Sequence, residues 1–223
     1  MLTPTRVTID ISADIGTVSG LLLKPADATA LLVLSHGAGA GMEHHFMEAL
    51  AQTLASHSIA TLRFNFPYME KGKGAPDRPK KAHPAIKAAI AAGEAQAAGL
   101  KLLAGGKSFG GRMTSQIAAA DELGPVKGVI YFGFPLHPAG KPGTERAAHL
   151  KEIKLPQLFL QGTRDTLARY DLIEAVCSDS DTATLVKMEG GDHSFKTLKR
   201  SGISPEEVLE KLAKETASFA ASC

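Results

Sequence analysis

The hydrophobic rhythm of the chain changes near residue 30. Before that point, Val7-Thr8-Ile9-Asp10-Ile11 alternates apolar and polar residues with period two, the pattern of a strand with one wet face. Residues 17–23 follow across Asp14-Ile15-Gly16, so the spacing predicts an antiparallel pair of strands that Pro25 ends. Beyond it the apolar runs are shorter and less alternating: 31–34, 60–64, 100–104, 126–132, 157–160 and 184–188. Runs of this length, rich in branched residues, suit strands covered on both faces.

Stretches with helical spacing separate most of these runs. Residues 46–57 carry Phe46, Leu50 and Leu54 on one face, and the Ala-rich stretch 84–98 places Ile86 and Ile90 four apart. Residues 112–123 carry Met113, Ile117 and Ala120, and 170–176 and 204–221 complete the set. In the last, Ser204, Pro205 and Glu207 predict an N-cap, a first helical residue and a capping box.

Alternating strands and helices joined by right-handed crossovers build a mostly parallel sheet flanked by helices on both faces. The expected architecture is therefore one α/β domain over residues 1–223, with the antiparallel pair at a sheet edge. Two stretches break the rhythm. Residues 65–81 are polar and interrupted by Pro67, Pro76 and Pro79. Residues 133–156 hold four prolines and one short helical candidate, 145–150. Both follow C-terminal ends of predicted strands, where open α/β sheets place their ligands.

Composition narrows the function classes. A hydrophobic share of 44% with 22% charged residues describes a globular chain, not a disordered one, a collagen-like fibre or a coiled coil. With 25 basic against 23 acidic residues the formal net charge is +2, too small a field to draw in nucleic acid or an anionic membrane. Cys177 and Cys223 cannot form a disulfide framework. The first residues lack the apolar stretch of a signal peptide, and no run approaches the roughly eighteen apolar residues of a membrane span. The expectation is a cytoplasmic protein without nucleic-acid or membrane partners.

The chemistry concentrates in Gly105-Gly106-Lys107-Ser108-Phe109-Gly110-Gly111, where Gly106, Ser108 and Gly110 match G-x-S-x-G. That motif places a serine on a sharp turn between strand and helix, and its glycines let the two elements pass closely. An apolar run precedes it and a helical pattern follows. Gly106-Lys107-Ser108 also matches the end of a phosphate-binding loop, but Lys101 stands where that motif needs its first glycine. The glycines after residue 34 are no dinucleotide fingerprint either, because Met42 occupies the third glycine position.

A serine hydroxyl needs a base, and the base needs an orienting carboxylate. Asp165 lies beyond the run 157–160 and His193 beyond 184–188, in the order Ser, acid, His that accompanies this motif. Each of the three residues thus falls just past the C-terminal end of a different strand. Ser108 is the expected nucleophile, His193 the general base and acid, and Asp165 the residue that fixes the imidazole tautomer. Asp192 is the rival acid, but adjacent residues on a turn seldom align for a side-chain bond to a ring.

The developing oxyanion needs two donors, expected from the backbone N–H groups of Phe109 and Ala38, with Gly39 beside the substrate. Phe66, Tyr68, Phe134 and Leu136 flank the same edge and are expected to line an acyl pocket. His36 reads as structural, Cys177 as a buried helix residue, and Glu43-His44-His45 as a solvated helix start lacking the i, i+4 spacing of helical zinc sites. Arg112 follows the motif closely and suits either a substrate carboxylate or a salt bridge near the helix start. Nucleophile, base and oxyanion donors are all protein groups, so no cofactor or metal is expected.

Ser35-His36-Gly37-Ala38-Gly39, Gly106 to Arg112 and Gly191-Asp192-His193-Ser194-Phe195 together resemble the small dienelactone-hydrolase-like branch of the α/β-hydrolases. Arg63-Phe64-Asn65-Phe66-Pro67-Tyr68 is similar to a subgroup of bacterial hydrolases related to the hydrolase-like domain of a histone-acetyltransferase complex subunit. The resemblance spans roughly residues 17–219, and Ser108 stands where dienelactone hydrolases carry a cysteine. It implies an eight-stranded core without a large cap and an ester or related acyl substrate. The expectation is a carboxylesterase for short acyl chains. A thioesterase, a small serine peptidase and a non-catalytic interaction module are the alternatives.

Overall fold

A computed structural model describes residues 1–223 and centres on an eight-stranded sheet. Its strands are β1 (Thr5–Ser12), β2 (Gly16–Leu23), β3 (Ala30–Ser35), β4 (Ile59–Phe64), β5 (Lys101–Lys107), β6 (Val129–Phe132), β7 (Gln157–Gly162) and β8 (Ala183–Met188). Their spatial order is β1-β2-β4-β3-β5-β6-β7-β8. β2 runs antiparallel to both β1 and β4, and every other pairing is parallel. The alternating segment at the start of the chain therefore forms the edge, as its half-polar pattern requires.

Six helices pack on the two faces. α1 (His45–Ser56) and α6 (Pro205–Ser222) cover one, through Met47, Leu50, Leu54, Val208, Leu212 and Phe219. α3 (Pro79–Gln96), α4 (Phe109–Ala119) and α5 (Tyr170–Ser178) cover the other, through Ile86, Ile90, Met113, Ile117 and Ile173, with the single turn α2 (Pro67–Glu70) ahead of them. Strand β3 shows why its sequence is uniformly apolar: Leu31 and Val33 enter one core while Leu32 and Leu34 enter the other. Burying each such side chain stabilises the fold by about 2 kcal/mol. β3 also marks the point where the chain switches direction across the sheet, with β4 on one side and β5 on the other. A crevice opens beyond the strand ends at such a point.

The elements differ from the expected ones mainly at their ends. The long polar stretch 65–81 is shorter than its composition suggests, because α2 occupies its start and α3 begins at Pro79. Pro84, expected to open that helix, lies inside it. The missing N–H of Pro84 leaves a carbonyl at exposed Lys80 that water can satisfy, while the apolar stripe extends back to buried Ala82. β5 runs on to Lys107, and α4 starts at Phe109 and not at residue 112. Within 133–156 two short 3-10 turns, Glu145–Ala147 and Leu150–Glu152, replace the single helix expected there. The capping box of α6 forms: Glu207 N–H donates to Ser204 Oγ at 3.1 Å and Ser204 N–H to Glu207 Oε2 at 2.7 Å. No helix is long and apolar enough to cross a membrane.

Candidate active site

Ser108 is the one residue between β5 and α4, and it is held at φ 50° and ψ −112°. A left-handed backbone angle is unfavourable for a serine, so the surroundings must impose it. They do so by close contact. A Cβ on Gly106 would lie 2.5 Å from the Ser35 carbonyl oxygen, and one on Gly110 would lie 2.5 Å from Ser35 Cβ and 2.7 Å from the His36 oxygen. Only glycine fits at either position, and the turn is pressed directly against the end of β3.

The Ser108 hydroxyl meets His193 Nε2 at 2.8 Å, and His193 Nδ1–H donates to Asp165 Oδ2 at 2.7 Å. The Asp165 side chain is fully buried, whereas His193 stays 22% exposed. Gln161 Nε2 donates to Asp165 Oδ2 at 2.6 Å, and Leu167 N–H to Oδ1 at 2.7 Å. With a buried carboxylate accepting at Nδ1, the imidazole carries its proton there and leaves Nε2 free to accept. Asp192 has a different task. Its Oδ1 accepts the N–H groups of Ser194 and Lys196, at 2.8 Å and 2.9 Å, and so shapes the turn that presents His193.

On the far side of Ser108 lies the loop after β3. Phe66 N–H donates to His36 Nε2 at 3.0 Å, and His36 Nδ1–H faces the Gly37 carbonyl at 2.8 Å. Burial pushes the His36 pKa down to about 4, consistent with its structural place. Tyr68 Oη donates to the Ala38 carbonyl at 2.8 Å, with Gly37 O at 3.3 Å, and burial raises its pKa to about 12, so it remains a donor. Arg63 Nη1 donates to Met42 O at 2.9 Å, and Met42 N–H donates to Asn65 Oδ1 at 3.0 Å. The β4 end thus straps the β3 loop at several points. The N–H groups of Ala38 and Phe109 have no partner within the protein. That of Phe109 is one of the donors every helix start leaves unbonded. Gly39 is exposed beside them.

The expected acyl pocket is not formed by the residues assigned to it. Phe66, Phe134 and Leu136 are fully buried and Tyr68 is 2% exposed, all within the core on the α3–α4 face. Phe66 packs edge-on against His36, Phe64 and Phe109, and Phe134 against Tyr131 and Phe159. These residues follow strand ends at the correct edge, but filling the space beneath the loops removes more apolar surface from water than lining a cleft would. The half-exposed aromatic next to Ser108 is Phe109 itself.

Arg112 forms no salt bridge, which removes one of its two expected roles. Its Nε is buried without a partner, and burial together with nearby Arg146 lowers the guanidinium pKa. His44 Nδ1 caps α1 by accepting Phe46 N–H at 3.3 Å, and Glu43 is engaged by Arg6. Cys177 is buried, and burial drives its thiol pKa up to about 12. Sequence patterns did not single out Gln161 or the strapping role of Arg63, Asn65 and Tyr68. The available signal was a polar side chain within an otherwise apolar strand, at Gln161 and Arg63.

Residues 28–221 match the model of an α/β hydrolase domain family, and the chain belongs to that family. Its fold is similar to that of a serine hydrolase homologue from Coxiella burnetii, at TM-score 0.75 and 21% identity over 98% of each chain. It is also similar to an esterase domain of a Rhodothermus marinus protein, at TM-score 0.74 and 16% identity over 99% of each chain. Dienelactone hydrolase from Anabaena variabilis superposes at TM-score 0.72, with 18% identity over 99% of this chain and 98% of that one.

Proposed function

We propose that the protein is a serine carboxylesterase that cleaves short-chain esters through an acyl-enzyme on Ser108. The observation that carries this reading is the continuous chain of hydrogen bonds from the Ser108 hydroxyl through His193 to buried Asp165. Ser108 Oγ attacks the ester carbonyl carbon as His193 Nε2 takes its proton, and Asp165 stabilises the resulting imidazolium. The oxyanion is received by the N–H groups of Ala38 and Phe109, each such donor contributing about 3 kcal/mol of transition-state stabilisation. The tetrahedral intermediate collapses when Nε2 returns the proton to the leaving alcohol. Water, deprotonated by the same imidazole, then releases the acid and restores Ser108.

Two observations support an enzyme over a binding module and bear on the size of its substrate. A binding module has no need of a serine held at φ 50°, a strain of about 1–3 kcal/mol that is explained by exposing Oγ. Phe66, Tyr68, Phe134 and Leu136 are buried in the core, which takes these four side chains out of any open acyl cleft, a packing that suits short chains. Membership of the α/β hydrolase family, and fold neighbours that include an esterase domain, agree with this reading.

A fluorophosphonate probe and p-nitrophenyl esters from acetate to decanoate test it. The expected result is labelling that Ser108→Ala abolishes, with turnover greatest for the shortest acyl groups. A folded protein that neither labels nor cleaves is the interaction module instead, and thioester or peptide cleavage without ester cleavage would move the substrate class.

A further inference from the structure

The side chain that precedes the nucleophile takes part in none of the steps above, yet it ends inside the site. Lys107 Nζ donates to the backbone carbonyl of His193 at 2.6 Å and lies 5.4 Å from the centroid of the Phe195 ring. The same ammonium sits beneath Gly133: a Cβ built there would be 3.1 Å from Nζ, 3.5 Å from the His193 oxygen and 3.7 Å from Asp165 Oδ2. Lys107 forms no salt bridge within 4 Å. It is nevertheless the cation that lies close to the fully buried Asp165 carboxylate.

We propose that Lys107 is a positioning residue for His193: its ammonium pins the His193 main chain to the elbow and offsets the charge of buried Asp165, holding the imidazole in line with Ser108. This inference rests on the serine-esterase reading. The physical case has two parts. His193 lies on a turn beyond β8, an edge strand paired only with β7; Arg164 N–H to the Gly191 carbonyl and Gly190 N–H to Thr163 Oγ1, both at 2.9 Å, tie that turn to the end of β7, and Lys107 Nζ adds the tie to the strand that carries Ser108. A buried carboxylate without a nearby cation is costly, and Gln161 and Leu167 bring hydrogen bonds to Asp165 but no charge. One ammonium meets both needs.

The charged and titratable groups facing it are Asp165 from the turn after β7, and Asp192 and His193 from the turn after β8. Gly133, beyond β6, adds only backbone. Burial lowers the Lys107 pKa to about 8 against the opposing pull of the two aspartates, so the clamp loses its charge as pH rises through that value.

The experiment compares wild type, Lys107→Met and Lys107→Arg. Lys107→Met keeps the stem and removes donor and charge. It should lower kcat for p-nitrophenyl acetate by roughly 10- to 100-fold, as expected for a displaced catalytic group, with KM little changed. Removing a cation makes the neighbouring imidazolium easier to form, so the acid limb of kcat/KM should move to higher pH. Lys107→Arg should restore most of kcat and retain activity above about pH 8, where wild-type activity should decline.

Amide hydrogen exchange over residues 189–197 should quicken in Lys107→Met, a readout that needs no turnover. If wild type proves inactive, the esterase reading fails while exchange still tests the clamp. Unchanged exchange together with unchanged limbs in both variants overturns it. Should Lys107→Met not fold, Lys107→Arg decides: an alkaline limb identical to wild type counts against the proposal.

Discussion

The imidazole of His36 joins two loops, accepting Phe66 N–H on Nε2 at 3.0 Å while Nδ1–H faces the Gly37 carbonyl at 2.8 Å. Both bonds require a neutral ring with its proton on Nδ1. A proton added to Nε2 would abolish the acceptor and place a charge where the residue is fully buried.

Stability should therefore depend on His36 in mildly acid solution. Its folded pKa of about 4 lies below the ordinary imidazole value of 6.5, so between these values the unfolded chain binds more protons. The contribution is complete above about pH 6.5, falls as pH drops towards 4, and amounts to about 3 kcal/mol. In His36→Gln an amide oxygen can take the Phe66 N–H without titrating. Melting curves between pH 7 and 4 should fall less steeply for that variant than for wild type.

Tyr68→Phe removes the donor that holds the Ala38 carbonyl at 2.8 Å. The expected loss of stability is about 1 kcal/mol. If Ala38 N–H receives the oxyanion, kcat should fall by roughly tenfold through misalignment of that donor, with KM little affected. Steady-state kinetics on p-nitrophenyl acetate check this, and an unchanged kcat would separate the Tyr68 strap from the reaction.

The two neighbouring acids should behave differently. Asp165→Asn should lower kcat by about 10⁴, because an amide in place of the carboxylate favours the wrong imidazole tautomer. Asp192→Asn should act first on the turn that its Oδ1 caps at Ser194 and Lys196. Its melting temperature should fall, with a much smaller change in kcat. The reverse ranking would exchange the assignments.

Ser108→Gly and Ser108→Ala both remove the hydroxyl, so comparing them isolates the backbone at φ 50°. Glycine adopts that angle without strain, and Ser108→Gly should be more stable than Ser108→Ala by about 1 kcal/mol after its own greater chain entropy is counted. Chemical denaturation of the two inactive proteins measures the difference.

Much of this arrangement was legible from the chain alone. The switch from period-two alternation to short, mostly apolar runs located every strand, and the order of Ser108, Asp165 and His193 placed three distant residues on one sheet edge, where the structure brings them into hydrogen-bond contact. Element ends were less legible because they depend on tertiary contact. Pro84 reads as a helix start, and only the packing of Ala82 reveals the turn before it. The pocket residues failed for a related reason: Phe66 and Phe134 stand at the right edge, but position along a strand end does not say which way a ring turns. Gln161 and Lys107 act through neighbours contributed by other strands, which no local pattern records.

The tight fit of Gly106 and Gly110 against Ser35 and His36 bears on how such a protein can diversify. A single methyl group at either glycine collides with the main chain, so the elbow tolerates almost no mutational drift. Change is better tolerated in the exposed stretches 71–78 and 138–145, where added side chains meet solvent and not the core. Laboratory libraries aimed at altered selectivity belong in those two segments, with the serine turn left untouched.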